Sequence, residues 1–247
     1  MAKKPYLSVI VPAYNEEELI GKCLNSLSKQ SLDDSFYEII VIDNASTDKT
    51  AQVASKAGVK VLREGRKSVV LARQKGVSIA KGEVIVSADA DTIYPPGWLG
   101  RIKHNFDKDP SLIALAGWIY FKNTSTFYNL SFALSQEVNL WLSQLTGKFP
   151  QVYAANFAFK KSALDEIGGY PAHLPELGDQ QYLLYKFFKL GKVKIDKRLS
   201  CHTSARRHKQ KVKSLVVDNG WHRIAGYLVN RLLGRELIGP APAVRNK

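Results

Sequence analysis

Cysteine is scarce: Cys23 and Cys201 are the only two in 247 residues, and no C-x-x-C spacing occurs. Neither a disulfide framework nor a zinc site is suggested, and a reducing, intracellular setting fits. Long apolar runs are missing as well. No stretch approaches the ~18 apolar residues that span a bilayer, so the sequence predicts no integral membrane protein. The run Leu7–Val11 behind Lys3 and Lys4 is too short for a signal-peptide core and reads as a first strand. That strand runs into Pro12 instead of a G-x-G-x-x-G turn, and no Gly-Lys pair is followed by Ser or Thr. Dinucleotide oxidoreductases and P-loop NTPases therefore drop down the list of functions. No internal repeat or low-complexity linker divides the chain. Acidic residues are thin at one end only: residues 186–247 hold 3 Asp and Glu against 16 Lys and Arg, whereas residues 1–185 hold 19 against 20. The net charge of +14 thus belongs to the last quarter, and the body is balanced.

The first half alternates strand and helix signals. Strands are predicted at Leu7–Val11, Tyr37–Ile42, Val59–Leu62 and Val84–Ala88, and helices at Glu16–Gln30, from the caps Ser46-Thr47-Asp48 to about Lys56, and at Ser68–Ala80. This β-α-β-α-β-α-β order implies a mostly parallel sheet with helices on both faces, Rossmann-like and α/β in class. Asp89-Ala90-Asp91 follows the fourth strand at once, so two carboxylates lie at the carboxyl edge of a sheet, where ligands bind in open α/β folds. Two such neighbours repel unless a cation or hydrogen-bond donors neutralise them, and hard oxygens suit Mg²⁺ or Mn²⁺. The second half is less regular: helices are expected at Gly97–Phe106, Thr124–Leu145, Ser162–Ile167 and Asp179–Leu190, strands at Ile113–Phe121 and Val152–Phe159. The stripe Phe127, Leu130, Leu134, Val138, Trp141, Leu145 on the long helix is expected to be core or the lining of an internal groove.

Laid side by side, several stretches resemble the inverting nucleotide-sugar glycosyltransferases of GT-A fold, glycosyltransferase family 2-like. They are Val11-Pro12-Ala13-Tyr14-Asn15-Glu16-Glu17, Val41 through Asp48, Ala72 through Gly76, Ala80 through Glu83 and Asp89-Ala90-Asp91. Asn156-Phe157-Ala158-Phe159, Gly168-Gly169-Tyr170 and Leu177-Gly178-Asp179 continue the match across about residues 7–205. The resemblance implies a catalytic domain at 1–205, split near residue 95 into nucleotide-binding and acceptor-binding halves, and a separate segment at 206–247. It places Pro12, Tyr14, Glu16, Asp43, Arg73 and Asp89 on the donor nucleotide, with Asp43 accepting from a ring N–H of the base, which favours uracil or another base with an N–H donor there. It puts Asp91 on a Mn²⁺ or Mg²⁺ ion, Asp89 on the ribose or on the ion through water, and Asp179 as the base that takes the acceptor's proton. Alternative structural roles exist for several of these: an Asx turn for Asp43, helix-dipole contacts for Glu16 and Glu17, an N-cap for Asp179. The chain departs from the pattern twice. Gly178 stands directly before Asp179 where a Glu is common, and Thr92-Ile93-Tyr94 replaces the Leu-Gln-His of relatives that charge polyprenyl phosphates. The absent ligand turns attention to His202 as a third metal ligand, with Arg206 and Arg207 beside it as diphosphate partners.

Val217, Trp221, Ile224, Leu228 and Leu232 recur at helical spacing among Arg and Lys. Such a segment suits an anionic membrane surface, the alternative being a helix docked on its own domain. The expectation is a peripheral protein at the cytoplasmic face of a membrane that moves a sugar from a nucleoside diphosphate, most simply UDP, to a membrane-associated glycan or lipid-linked acceptor. A polyprenyl-phosphate glycosyl synthase and a nucleic-acid-binding protein driven by the basic tail remain as alternatives, the last disfavoured by the charge-balanced body.

Overall fold

A computed structural model describes residues 4–146, 151–171 and 178–206. The strands are β1 (Leu7–Ala13), β2 (Tyr37–Asn44), β3 (Lys60–Glu64), β4 (Val84–Ser87), β5 (Thr92–Ile93), β6 (Leu112–Lys122), β7 (Phe157–Lys160) and β8 (Lys192–Ser204). The α-helices are α1 (Ile20–Ser28), α2 (Thr50–Lys56), α3 (Val69–Ile79), α4 (Trp98–Lys108), α5 (Thr126–Thr146), α6 (Lys161–Glu166) and α7 (Gly178–Leu190). All eight strands form one mixed sheet in the order β3-β2-β1-β4-β7-β6-β8-β5. β1 pairs in parallel with β2 and β4, β2 with β3, and β6 with β8; β7 runs antiparallel to β4 and β6, and β5 to β8.

Period-two alternation divides the core between the two faces of the sheet. On β1, Leu7, Val9, Val11 and Ala13 join the cluster that includes Ile20, Cys23, Leu24 and Leu27 of α1, while Ile10 joins the opposite one with Val70 of α3 and Leu183 and Phe187 of α7. The chain goes outward from β1 through β2 to β3, then returns across the sheet through α3 to β4 on the other side of β1. The carboxyl ends of β1 and β4 therefore flank a topological switch point, the place where open α/β sheets hold ligands. β1 extends two residues past its predicted end, through Pro12. Ile10 is the last β1 residue in register with β4, and its carbonyl accepts from Ala88 N–H, so the imide nitrogen of Pro12 falls where β4 has already ended.

Three sequence expectations are corrected. Regular α1 begins at Ile20 rather than Glu16, because residues 14–19 form the loop that carries site groups. Of the strand expected at Val152–Phe159, Ala154–Asn156 is a 3₁₀ turn, and only Phe157–Lys160 is strand. The apolar stripe on α5 does not face the core: Phe127, Leu130, Leu134, Trp141 and Leu145 are 58–81% exposed. The opposite face packs instead. Phe132 and Tyr128 meet Phe121, and the Gln136 side chain both accepts from Ile119 N–H and donates to Ile119 C=O. β7 pairs with β6 only over Ala114–Ala116, so past that point a side-chain amide completes backbone groups that a strand would otherwise satisfy.

The 13-residue β8, absent from the sequence reading, carries the second half. Its join to β6 shifts register between Gly117 and Trp118, and there Asn156 donates to the carbonyls of Trp118 and Leu199 and accepts from the Trp98 indole. A side chain at Gly117 would meet Asn156 and the Leu199 carbonyl, so this crossing requires glycine. Among the described residues, no helix is long and apolar enough to cross a membrane.

Candidate active site

Two loops at the carboxyl ends of β1 and β2 are stitched together by short polar side chains. Asn15 N–H donates to Ser46 Oγ, and Thr47 N–H to Asn15 Oδ1; Glu16 N–H donates to Thr50 Oγ1. Both loops pass through left-handed backbone, Asn15 at φ 51° and Ala45 at φ 59°. For alanine that conformation costs about 1 kcal/mol or more, the kind of local strain that clusters at ligand sites. Glu17 belongs to this stitching: its carboxylate accepts from Lys49 N–H and its own N–H donates to Asp48. It is the structural one of the two glutamates. Glu16 is buried and holds Arg206 Nη2 on both carboxylate oxygens at 2.7 Å.

Asp43 ends β2 almost fully buried, accepting from Ser46 N–H at 3.2 Å, with Arg63 Nε 3.9 Å from its other oxygen. The Asx-turn contact and an oxygen at the sheet edge thus coexist. Tyr14 is half-buried beyond β1, with Lys67 Nζ 4.3 Å from its ring centre.

Across the crevice, the backbone of Asp89 is held from below. Its N–H donates to the buried Tyr94 hydroxyl at 2.9 Å, that hydroxyl donates to Ala155 C=O, and Cys23 Sγ donates to Asp89 C=O. Tyr94 thus fixes the acidic turn from the position where the related pattern has a histidine. Asp91 is tied to β8: its carbonyl accepts from Ser204 N–H and its Oδ1 from Thr203 Oγ1 at 3.3 Å. Alternation along β8 sends the neighbouring His202 to the other side, where it is exposed and its ring lies 5.7 Å from that of Tyr120. Burial, helped by the charge of Lys122, holds its pKa below the usual histidine value. The structure therefore does not bring His202 to the carboxylates, and Thr203 takes that place. Arg207, and with it the apolar stripe from Val217 to Leu232, lies outside the described residues.

Asp179, in the first turn of α7, is completely buried on the far side of the crevice. It is not an N-cap. Its Oδ2 accepts from Arg73 Nη1 at 2.7 Å and from Gln180 Nε2 at 3.0 Å, and its Oδ1 has no hydrogen-bond partner among the described residues. Arg73 rises from α3, itself capped by Ser68, and its Nη2 also lies 3.7 Å from Asp89 Oδ1. Expected as a nucleotide contact, Arg73 is a buried bridge between the acidic turn and Asp179.

The donor set fits a magnesium- or manganese-type ion. Among the described residues no group of three or more His, Cys, Asp and Glu could hold a metal, and Asp89 and Asp91 form a two-carboxylate donor set. One or two carboxylates, completed by water and substrate phosphates, is how such ions are commonly held at phosphate sites. The local field is negative as well: burial pushes the Cys23 and Cys201 thiols up, and both Asp89 and Asp91 push in the same direction.

Residues 8–168 match the family model described as Glycosyl transferase family 2. Among curated proteins, the chain is 26% identical over 184 residues to Glycosyltransferase AglE of Haloferax volcanii, covering 71% of this chain and 59% of that protein. It is 27% identical over 197 residues to the Poly(ribitol-phosphate) beta-glucosyltransferase of Bacillus spizizenii, covering 76% of this chain and 30% of that protein. The chain thus spans between about a third and three fifths of these relatives' lengths. Among solved structures, it superposes on the mannosyltransferase PcManGT of Pyrobaculum calidifontis, in complex with GDP-Man and Mn²⁺, with a TM-score of 0.70 and 23% identity over 97% of this chain and 66% of that one. On S. aureus TarS 1–349 in complex with UDP-GlcNAc the TM-score is 0.65 with 19% identity, over 94% and 67% of the two chains. The fold is that of GT-A enzymes.

Proposed function

Because the chain belongs to glycosyl transferase family 2, we propose that it transfers one sugar, with inversion, from a UDP-linked donor to a hydroxyl of a membrane-associated glycan or lipid-linked acceptor. The observation that carries this reading is the pairing of a buried carboxylate, one oxygen of which has no hydrogen-bond partner among the described residues, with an acidic turn across a switch-point crevice.

On this reading the uracil lies between Tyr14 and Asp43, whose carboxylate accepts the base's N–H. The ribose meets Asp89. Asp91 and Asp89 would hold a Mn²⁺ or Mg²⁺ ion, which would supply charge neutralisation for the departing diphosphate. Arg206 releases Glu16 and turns to the same phosphates; a guanidinium suits either partner. Asp179 does the proton chemistry. Inverting displacement at the anomeric carbon forms the new C–O bond as the leaving diphosphate departs from the opposite face, and the acceptor's hydroxyl proton passes to Asp179 Oδ1. Arg73 grips the other oxygen and thereby aims the free one. Gln180, donating to that same Oδ2, closes the grip.

Neighbouring structures in complex with UDP-GlcNAc and with GDP-Man and Mn²⁺ support a nucleotide-sugar donor and a divalent ion. The basic tail, offset from a charge-balanced body, supports an acceptor at an anionic membrane. A donor screen following nucleoside-diphosphate release tests the reading. Release from a UDP-sugar in Mn²⁺, suppressed in Asp179→Asn, is expected; release from no nucleotide sugar would reject it.

A further inference from the structure

The exposed face of α5 has no role in the sugar-transfer site. It runs 21 residues from Thr126 to Thr146 with a single charged side chain, Glu137, and that one is held by Lys197 Nζ at 2.6–2.7 Å. Phe127, Leu130, Leu134, Trp141 and Leu145 stand on the side away from Tyr128, Phe132 and Gln136, and so form a continuous apolar ridge about 27 Å long at 1.5 Å per residue. Five large apolar side chains in one row are not the scattered exposure of an ordinary surface.

We propose that this ridge is a membrane-inserting face, seated in the headgroup region of an anionic bilayer. The proposal extends the membrane-acceptor reading by assigning the contact to α5 as well as to the basic tail. Charge selects the occupant. The chain carries +14, and residues 207–247 hold nine Lys and Arg against two Asp and Glu. In sequence that segment follows β8, whose last residue Ser204 is in register with Lys122, four residues before α5 begins. An anionic bilayer suits both an apolar ridge and a chain of strongly positive net charge, whereas two copies of the chain would repel through their net charge. Trp, Phe and Leu are the side chains that helices lying in the interface plane bury at the headgroup boundary.

The test uses the full chain as Trp221→Phe, leaving Trp141 beside the buried Trp98 and Trp118. Vesicles of phosphatidylglycerol and phosphatidylcholine carry bromine on the phosphatidylcholine chains. The expected result is quenching of emission that disappears in Trp141→Phe/Trp221→Phe and weakens as phosphatidylglycerol is withdrawn. Leu130→Glu/Leu134→Glu should reduce vesicle partitioning at least about tenfold, each inserted leucine being worth about that much, with UDP binding and thermal midpoint unchanged. Co-sedimentation without quenching at Trp141 would assign binding to the tail alone and overturn the proposal. So would a dimer in sedimentation velocity that the double glutamate variant splits, or a loss of thermal stability in that variant, which would mean the ridge is covered by the protein's own chain. Failure of the wild-type chain to bind UDP would count against the sugar-transfer reading and not against this one.

Discussion

Asp179→Asn separates chemistry from architecture. The carboxylate is fully buried and the side chain of Arg73 only 6% exposed, so removing one charge leaves the other in a medium that solvates it poorly. Stripping a buried ion of its partner outright costs about 3–5 kcal/mol. Two features soften that here: Asn keeps a carbonyl oxygen for Arg73, and Asp89 remains 3.7 Å from the guanidinium. The destabilisation should therefore be about 1–3 kcal/mol, or a fall of roughly 2–12 °C in thermal midpoint for a chain of this size. Turnover with a hydroxyl acceptor should fall by about 10²–10⁴, the contribution of positioned proton transfer. Adding Arg73→Met to Asp179→Asn should recover part of the stability and none of the turnover. Melts by circular dichroism and rates from nucleotide release, at temperatures where each variant is folded, supply both readouts. Wild-type turnover in folded Asp179→Asn would refute the assignment; retained turnover only with a phosphate acceptor, already ionised, would indicate a lipid-phosphate synthase.

Other expectations address the supports of the site. Tyr94→Phe leaves Asp89 N–H and Ala155 C=O without their buried hydroxyl, which should cost about 1–3 kcal/mol and weaken metal-dependent nucleotide binding in calorimetry. His202→Ala should leave the Mn²⁺ concentration for half-maximal rate unchanged; a marked rise would bring His202 back to the metal. Burial by itself would raise the Asp196 carboxyl, but hydrogen bonds from Arg101, Asn105 and the Arg198 amide carry it below the usual range. Its folded pKa being depressed, its stabilising contribution is present above the ordinary carboxylate pKa of about 3.9 and is lost as pH falls through the lowered value. The gap in thermal midpoint between wild type and Asp196→Asn should accordingly narrow from pH 7 to pH 3.

The first half was legible because β1, β2 and β4 are largely buried, only the edge strand β3 being partly exposed, and each turn is local. Four apolar runs, the Ser68 cap and the position of Asp89-Ala90-Asp91 after β4 need no distant partner to be read. The second half depends on contacts far apart in sequence. β8 carries Lys194, Asp196, Lys197, Arg198 and His202 among its apolar residues, so alternation is weak, and its irregularity between Asp196 and Ser200, opposite Gly117 and Trp118 of β6, breaks what remains. On α5 the larger apolar set faces outward, because Gln136 and Asn139 are drawn inward to satisfy backbone at Ile119 and Gln151. Periodicity located the stripe and said nothing of which side the domain occupies. At the site, the types of Asp91, Asp179 and Arg73 were readable, but the Arg73–Asp179 bridge spans 106 positions and only the folded chain joins it. Tyr94 had one local signal, an aromatic between the acidic turn and Pro95-Pro96, and its purpose emerges only with Ala155 beside it.

Calorimetric titration of UDP into the protein with and without Mn²⁺, repeated on Asp91→Ala, tests the central claim most directly. The account predicts binding that strengthens with Mn²⁺ and loses that dependence in Asp91→Ala, while the fold is retained. Binding of no nucleoside diphosphate, or identical Mn²⁺-dependent binding in Asp91→Ala, would contradict it.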